Sequence, residues 1–309
     1  MMPRLTPAQL YNEYRKGFSG CLWEQHVYDE LMETSKYAYF KDGAKKIKNS
    51  GKGQLSTPFM SVLKFDKNAY IERQTTGDCV SHATRNGCDL TRAVEIDVNG
   101  DKESWIARGA TEAIYGARGH GGQGMSCSRA AKFVSQVGGV LVRKNYPGVG
   151  DFSKYNGSMG ARWGSRGLPD KVIDKADEHQ IKTVSLIKTV EEARDALANG
   201  YGLSVCSSYG FSSKRDSKGF ARKSGGWNHA MAWTACDDTG KEPAFLVQNS
   251  WGKFNSGGHP EWGPIPDGSF LIHADVAAGM LRQNGAYAFS DFNGFPPQKL
   301  PDYGFVDYL

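Results

Sequence analysis

One stretch of the chain, Gln74–Val94, constrains the fold more than any other. It reads QTTGDCVSHATRNGCDLTRAV, and Asp78 within it is a suitable helix N-cap. Small or apolar residues follow at alternating steps of three and four: Val80, Ala83, Gly87, Leu90 and Val94. This spacing predicts a helix that begins at Cys79 and runs through the middle of a domain. Unpaired backbone N–H groups at the start of such a helix favour the thiolate form of Cys79.

Length and composition place the chain among globular proteins. Its 309 residues suffice for one large or two modest domains, and 39% of them are hydrophobic and 23% charged. No apolar run approaches the roughly 20 residues that span a membrane, so no membrane partner is expected. The first twenty residues lack the apolar centre of a secretory signal, which favours a cytoplasmic location.

Charge and cysteine usage exclude two further classes of site. The net charge is +5, and Lys and Arg cluster only at residues 43–53, so no nucleic-acid partner is expected. Six cysteines occur, at positions 21, 79, 88, 127, 206 and 236, without a CxxC pair. In the expected reducing compartment they are predicted to be free thiols. Cys79, His82 and Cys88 lack a second tight ligand pair, so neither a metal nor a cofactor is expected.

The chain divides by pattern into four sections. Residues 1–70 form an N-terminal arm with helical pieces at 5–18 and 23–40, which is either a pro-segment or an arm packed on the core. Residues 71–165 are predicted to be a helical lobe, and residues 166–283 a β-rich lobe with an antiparallel, barrel-like sheet. Residues 284–309 are an aromatic, Pro-containing tail. The arm or the tail could dock on a protein partner.

Three segments of the helical lobe have weaker patterns. Residues 103–118 are predicted to be a helix, and another helix is predicted to begin at Ser126 or Ser128. The GHGGQG sequence at 119–124 follows a helix rather than a strand, so it is predicted to be a flexible loop and not a dinucleotide site. Residues 147–170 are rich in Gly, Ser and Pro and are predicted to cross the surface without regular structure.

A reactive cysteine requires a histidine as proton acceptor and a group that orients this histidine. The segment GGWNHAMAW places His229 on a predicted strand, and FLVQNSWGKF places Asn249 at the end of another. The Asn249 side-chain carbonyl can accept a hydrogen bond from the imidazole. Trp251 is predicted to cover that hydrogen bond and keep water away from it.

With these residues in this order, the chain resembles the papain-like cysteine peptidases. The matching segments are GDCVSHA, GGVLVRKNYP, GLSV, NHAM, QNSWG and GSFLI, which together cover about residues 74–275. The interval from Cys79 to His229 is within the about 130–150 positions typical of that family. The resemblance implies an α+β fold of two lobes, a helical lobe with a central helix and an antiparallel β-barrel-like lobe, that meet at the active site.

The resemblance also implies a thiol endopeptidase that acts on polypeptide substrates. Cys79 would attack the scissile carbonyl and form an acyl-enzyme, while His229 would transfer protons and Asn249 would orient His229. The Gln74 side chain and the Cys79 backbone N–H would form the oxyanion hole, in which one donor typically contributes about 10²–10³ to the rate.

The chain departs from the family pattern at several positions. Gln74 precedes Cys79 by five positions where the family has six, and Val80 replaces the usual aromatic residue. The usual disulfide pattern is absent. Gly121 and Gly122 resemble the glycines that pair with the substrate backbone in the family.

A different class of function is also compatible with the sequence. The chain could be a structural or assembly protein, for example a virion-associated one, that retains a papain-like fold with weak or no activity. The arm and the tail, which lie outside the resemblance, favour this alternative. Bacterial cell-wall amidases of another Cys–His type place the histidine much closer to the cysteine and lack an NSWG-like segment.

Overall fold

The computed structural model describes residues 20–99 and 107–303. Helices span Gln25–Thr34, Phe40–Gly43, Phe59–Phe65, Cys79–Asn99, Glu112–Gly116, Cys127–Lys132, Gly157–Arg166, Asp170–Asp177, Val190–Ala198 and Ala274–Leu281, and a π-helical turn spans Phe133–Val137. Strands span β1 Cys21–Leu22, β2 Leu55–Ser56, β3 Met125–Ser126, β4 Asn145–Tyr146, β5 Gly150–Asp151, β6 Thr183–Leu186, β7 Leu203–Phe211, β8 Lys214–Arg215, β9 Lys223–Asp237, β10 Ala244–Gln248, β11 Ser256–Gly257, β12 Ser269–His273 and β13 Ala286–Ser290.

One antiparallel sheet organises the second half of the chain. Its strands follow the order β12-β10-β9-β7-β13-β6, and the short strand β2 also pairs with β9. The predicted α+β class and antiparallel strands are therefore confirmed. The sheet remains open between β12 and β6 in the described residues, so it does not close into a barrel.

The sheet is buried on both faces, because side chains alternate along each strand. In β13, Ala286 and Ala288 belong to a core cluster that includes Leu281 of the helix Ala274–Leu281. Tyr287 and Phe289 belong to a second cluster, which extends to the helical half of the molecule. This sheet is therefore the layer on which the helices of both halves pack.

The helix Cys79–Asn99, called the central helix below, lies on that second face. All five residues of its predicted apolar face are buried, which confirms the prediction from spacing. A Cβ on Gly87 would lie 2.8 Å from the Phe289 ring of β13 and 3.3 Å from the Leu203 carbonyl carbon of β7. The absent side chain at Gly87 thus lets the central helix approach the sheet closely.

The Gly-rich crossing at 147–170 was predicted incorrectly, since residues 157–166 form a helix. Asn156 caps this helix by accepting a hydrogen bond from the Met159 N–H. Cβ atoms on Gly160 and Gly164 would contact the Glu112 backbone and overlap the Arg118 guanidinium. The glycines therefore serve close helix packing, which outweighs their low helix propensity.

Of the other predicted segments, some are confirmed as helices and some lie outside the described residues. The helices predicted within 23–40 and from Ser126 are present, at Gln25–Thr34 and Cys127–Lys132. The helical piece at 5–18 lies outside the described residues, as does part of the 103–118 segment. Of the predicted tail, residues 284–303 are described, and β13 within them is an inner strand of the sheet. The boundaries between the four predicted sections stay predictions.

In residues 20–99 and 107–303, no helix is long and apolar enough to span a lipid bilayer.

Candidate active site

Cys79 is the first residue of the central helix and is fully buried. It belongs to the same apolar cluster as Ala230 of β9, the residue that follows His229. The predicted side-chain cap by Asp78 is not seen among the described residues. Instead, Asp78 Oδ2 accepts a hydrogen bond from the Tyr155 hydroxyl at 2.8 Å, and Oδ1 has no hydrogen-bond partner. The helix start therefore favours the Cys79 thiolate through its backbone N–H groups.

His229 and Asn249 are brought together by the neighbouring strands β9 and β10. His229 lies within β9, Asn249 directly follows β10, and the His229 Nε2 lies 2.9 Å from the Asn249 Oδ1. The Asn249 amide also donates from Nδ2 to Asn255 Oδ1 at 2.9 Å, and its Oδ1 accepts the Ser250 N–H at 2.7 Å. These contacts identify Oδ1 as the acceptor. Therefore Nε2 of His229 carries a proton, and in a neutral ring Nδ1 is the basic nitrogen.

Aromatic rings enclose the His229–Asn249 hydrogen bond. The Trp251 ring centroid lies 4.6 Å from that of His229, and the Trp227 centroid lies 4.7 Å from that of Trp251. His229 and Asn249 are both buried. Trp251 therefore lies against His229, where the sequence predicts a cover for the hydrogen bond. Burial lowers the pKa of His229 to about 4, against the opposing effect of its hydrogen bond to Asn249.

Gln74 is fixed to the segment that carries Asn249. Its backbone N–H donates to the Ser250 carbonyl at 2.8 Å, and its Oε1 accepts from Ser250 Oγ at 2.5 Å and from Trp251 Nε1 at 3.2 Å. Its Nε2 donates to the Thr76 carbonyl at 2.7 Å. The fully buried Gln74 amide is therefore fixed through both its oxygen and its nitrogen. The hydrogen bond to Thr76 uses one of its two N–H groups and does not use the other.

A buried ion pair anchors the chain just before Gln74. Arg85 on the central helix is fully buried and donates to Glu72 Oε1 at 2.7 Å and to the Gly109 carbonyl at 3.0 Å. Burial alone would raise the pKa of Glu72, but the positive charge of Arg85 and its neighbours holds it well below the usual range. This pair joins the approach to Gln74 to the same helix that begins at Cys79.

Residues 20–24, called the strap below, lie beside these groups in an extended conformation. The Gly20 N–H donates to the carbonyl of Asn228, the residue before His229, at 2.9 Å, and the Gly20 carbonyl accepts from the Met125 N–H at 3.2 Å. Strand β1 of the strap then pairs in parallel with β3. The strap therefore fills the space between β3 and Asn228, which we call the groove. Burial raises the pKa of Cys21, as does the nearby charge of Cys79.

The far end of the strap is anchored by Glu24. Its carboxylate accepts hydrogen bonds from Arg129 Nε at 2.8 Å and from Ser126 Oγ at 2.6 Å. Hydrogen bonds of this charge-assisted kind are stronger than those between neutral groups. The strap is thus held at Gly20 by the sheet and at Glu24 by the helix Cys127–Lys132.

A disulfide bond joins Cys127 and Cys206, which corrects the prediction that all six cysteines are free. Cys127 begins a helix next to β3, and Cys206 lies in β7, so the bond ties the two sides of the groove together. It borders a cavity of about 250 Å³ that the strap residue Cys21 also lines. Because the two residues are far apart in sequence, only the fold brings them into bonding distance.

The predicted substrate glycines lie in the loop that leads to β3. Gly121 and Gly122 are both exposed, and the Gly122 carbonyl accepts a hydrogen bond from Arg118 Nε at 3.0 Å. The strap pairs with Met125 and Ser126 instead. A role for the two glycines in substrate binding stays a prediction.

The sequence gives no indication of several groups at the site. Asn255 orients Asn249 but lies in a turn beyond the QNSWG segment. Gln123, which contacts the loop before Cys79, was part of a loop predicted to be flexible. The sequence of the strap itself has no distinctive pattern. Only the helix start that binds its Glu24, at Ser126 and Arg129, has a pattern that could be recognised.

Comparison with solved structures identifies the fold. No protein-family model matches the chain, and no curated protein matches its sequence. Among solved structures, it is similar to xylellain, a cysteine protease from Xylella fastidiosa, with a TM-score of 0.52 and 15% identity over 84% of this chain and 92% of that one. It is also similar to procathepsin B S9 from Trypanosoma congolense, with a TM-score of 0.50 and 13% identity over 93% and 89% of the two chains. The chain therefore has a papain-like cysteine-protease fold.

Proposed function

We propose that this chain is a thiol endopeptidase that hydrolyses peptide bonds through Cys79, His229 and Asn249. The observation that carries the proposal is the buried 2.9 Å contact between His229 Nε2 and Asn249 Oδ1. It leaves the basic nitrogen of a neutral imidazole at Nδ1, the form that can take a proton from a thiol. The position of Cys79 at the start of the central helix, where backbone N–H groups favour a thiolate, supports the same assignment.

In the proposed reaction, His229 takes the proton of Cys79 and the thiolate attacks the scissile carbonyl carbon. The Gln74 amide and the Cys79 backbone N–H stabilise the resulting oxyanion. His229 then gives its proton to the departing amine, which leaves an acyl-enzyme. In the second half of the reaction, His229 deprotonates the water that hydrolyses the thioester, and Cys79 is released.

The extended strap supports a polypeptide as the substrate. It places main-chain hydrogen bonds on both walls of the groove, at Asn228 and at Met125. An extended peptide that displaced the strap would find the same donors and acceptors, which recognise a backbone rather than a particular side chain.

The test is covalent labelling combined with hydrolysis of a denatured protein such as casein. We expect an epoxide-type thiol-protease inhibitor to label Cys79 in preference to Cys21, Cys88 and Cys236, the other cysteines outside the disulfide bond. Cys79→Ala is expected to abolish hydrolysis, and His229→Ala to lower both labelling and hydrolysis by at least about 10²-fold. Absence of labelling and of hydrolysis across pH 5–8 would refute the proposal.

A structural role without catalysis is the second candidate, favoured by the groove being filled by the chain's own strap. In that case the protein would be recovered as a stoichiometric part of a larger assembly, and Cys79→Ala would leave both assembly and stability unchanged.

A further inference from the structure

Gln123 lies in the loop between the exposed glycines and β3, and its side chain contacts the segment before Cys79. Its Oε1 accepts hydrogen bonds from the Gly77 N–H at 2.6 Å and from Thr76 Oγ1 at 2.8 Å. The Tyr115 hydroxyl lies 3.4 Å from the same atom. One side-chain oxygen thus fixes a turn that ends two residues before Cys79.

The turn at Thr76–Gly77 determines where two donors lie. The Thr76 carbonyl accepts one N–H of the Gln74 amide at 2.7 Å, so a shift of this carbonyl would rotate the second N–H. Gly77 is separated from Cys79 only by Asp78, so the direction of the Cys79 backbone N–H depends on the same turn. These are the two groups proposed to bind the oxyanion.

The loop that carries Gln123 is itself rigidly supported. Arg118 donates from Nε to the Gly122 carbonyl, and its other nitrogens donate to the carbonyls of Gly160 at 3.0 Å and Ala161 at 2.8 Å. The support therefore extends from the helix Gly157–Arg166 to the residue before Gln123. A Cβ at Gly77 would lie 2.8 Å from Gln123 Oε1 and 3.0 Å from the Gly124 backbone nitrogen, so the absent side chain at Gly77 favours the close approach of the two segments.

We propose that Gln123 is a positioning residue for the oxyanion hole, which it orders by fixing the Thr76–Gly77 turn. This inference rests on the proposed peptidase function and adds a residue that does not touch the substrate. The Thr76–Gly77 turn explains how the Gln74 amide is oriented, although Gln74 lies one position closer to Cys79 than in the papain-like pattern.

The test separates oxyanion binding from the reactivity of the thiol. Gln123→Met keeps the size of the side chain but removes the acceptor, whereas Gln123→Glu keeps an acceptor oxygen. Hydrolysis of a peptide substrate forms an oxyanion, whereas alkylation of Cys79 by iodoacetamide does not. We expect Gln123→Met to lower kcat by about 10- to 100-fold, with KM and the alkylation rate changed by less than about threefold.

Three comparisons control for other effects of the Gln123→Met substitution. The single variant Gln123→Glu is expected to have a kcat within about fivefold of that of the original protein, because the hydrogen bonds from Gly77 and Thr76 are retained. The matched control is Gln136→Met, at an exposed glutamine remote from this loop, which is expected to leave kcat unchanged. In a Gln74→Ala background, Gln123→Met is expected to have a smaller effect, because only the Cys79 N–H then remains to be displaced.

Equal losses of hydrolysis and alkylation in Gln123→Met, or an undiminished effect in the Gln74→Ala background, would overturn the inference. Amide hydrogen exchange at Gly77 supplies a measurement that needs no activity. Faster exchange in Gln123→Met than in Gln136→Met supports the fixed turn, and unchanged exchange contradicts it. Failure of the original protein to hydrolyse peptides would instead refute the proposed function, whatever the exchange at Gly77.

Discussion

Asn249 shows how buried polar residues at this site constrain one another. Its Oδ1 accepts from His229 and from the Ser250 N–H, while its Nδ2 donates to Asn255. Asn255 in turn donates from its own Nδ2 to the Ser212 carbonyl at 3.0 Å. Because an unsatisfied buried polar group costs about 1–3 kcal/mol, a flipped amide is strongly disfavoured. The orientation of His229 therefore depends on residues that lie beyond the proposed catalytic groups.

The burial of His229 makes stability depend on pH. Its pKa is about 4, below the ordinary value of 6.5, so the unfolded chain binds more protons than the folded one between these values. Stability therefore falls as the pH decreases through this interval. For this residue alone we expect a loss of about 2 kcal/mol between pH 7 and pH 5.

Urea denaturation of the original protein and of His229→Gln at both pH values measures this contribution. The loss of unfolding free energy from pH 7 to pH 5 should be smaller in His229→Gln by about 2 kcal/mol. An equal loss in the two proteins would show that His229 does not titrate with a lowered pKa.

Among the secondary-structure elements, those with a regular apolar period could be predicted from sequence. The central helix follows from the spacing of its small and apolar residues. Strands β6, β7, β9, β10 and β12 lie within residues 166–283, which are predicted to be rich in antiparallel strands. The helix Gly157–Arg166 could not, because its glycines are explained only by what they pack against. Likewise, the pairing of the strap with β3 depends on main-chain hydrogen bonds, which carry no sequence signal.

The strap covers the groove, so weakening its anchor is expected to raise activity. Glu24→Gln removes the negative charge that binds Arg129, and we expect hydrolysis of a peptide substrate to increase by about three- to tenfold. The matched control is Glu30→Gln, which removes the ion pair with Lys132 on the same helix without touching the strap. Equal rates in the two variants would show that the strap does not limit access.

For the molecule as a whole, the sequence predicts the fold that brings distant segments together, but it does not predict the disulfide bond that joins two of them. The order of Cys79, His229 and Asn249 and the resemblance it supports anticipate the α+β fold. The disulfide bond was missed because a reducing compartment was expected and no CxxC pair occurs, both of which favour free thiols. Pairing of Cys127 with Cys206 depends on the packing of a helix against β7, which spacing alone does not reveal.

The Cys127–Cys206 bond closes a long loop and is expected to stabilise the molecule. For a loop of this length, chain entropy suggests about 2–5 kcal/mol. The double variant Cys127→Ser/Cys206→Ser should lower the free energy of unfolding by that amount when measured without reductant. With excess reductant, the original protein and the variant should become about equally stable. A variant as stable as the original protein without reductant would contradict this expectation.

In the proposed peptidase, two kinds of cysteine make opposite demands on the redox conditions. Cys79 would have to stay reduced to act as the proposed nucleophile, whereas the Cys127–Cys206 bond persists only where reductants are scarce. In a titration with dithiothreitol, we therefore expect turnover to rise at first, as oxidised Cys79 is rescued, and then to decline once the cross-link is cleaved. An optimum at intermediate reductant concentration would mark this protein as tuned to a mildly oxidising milieu.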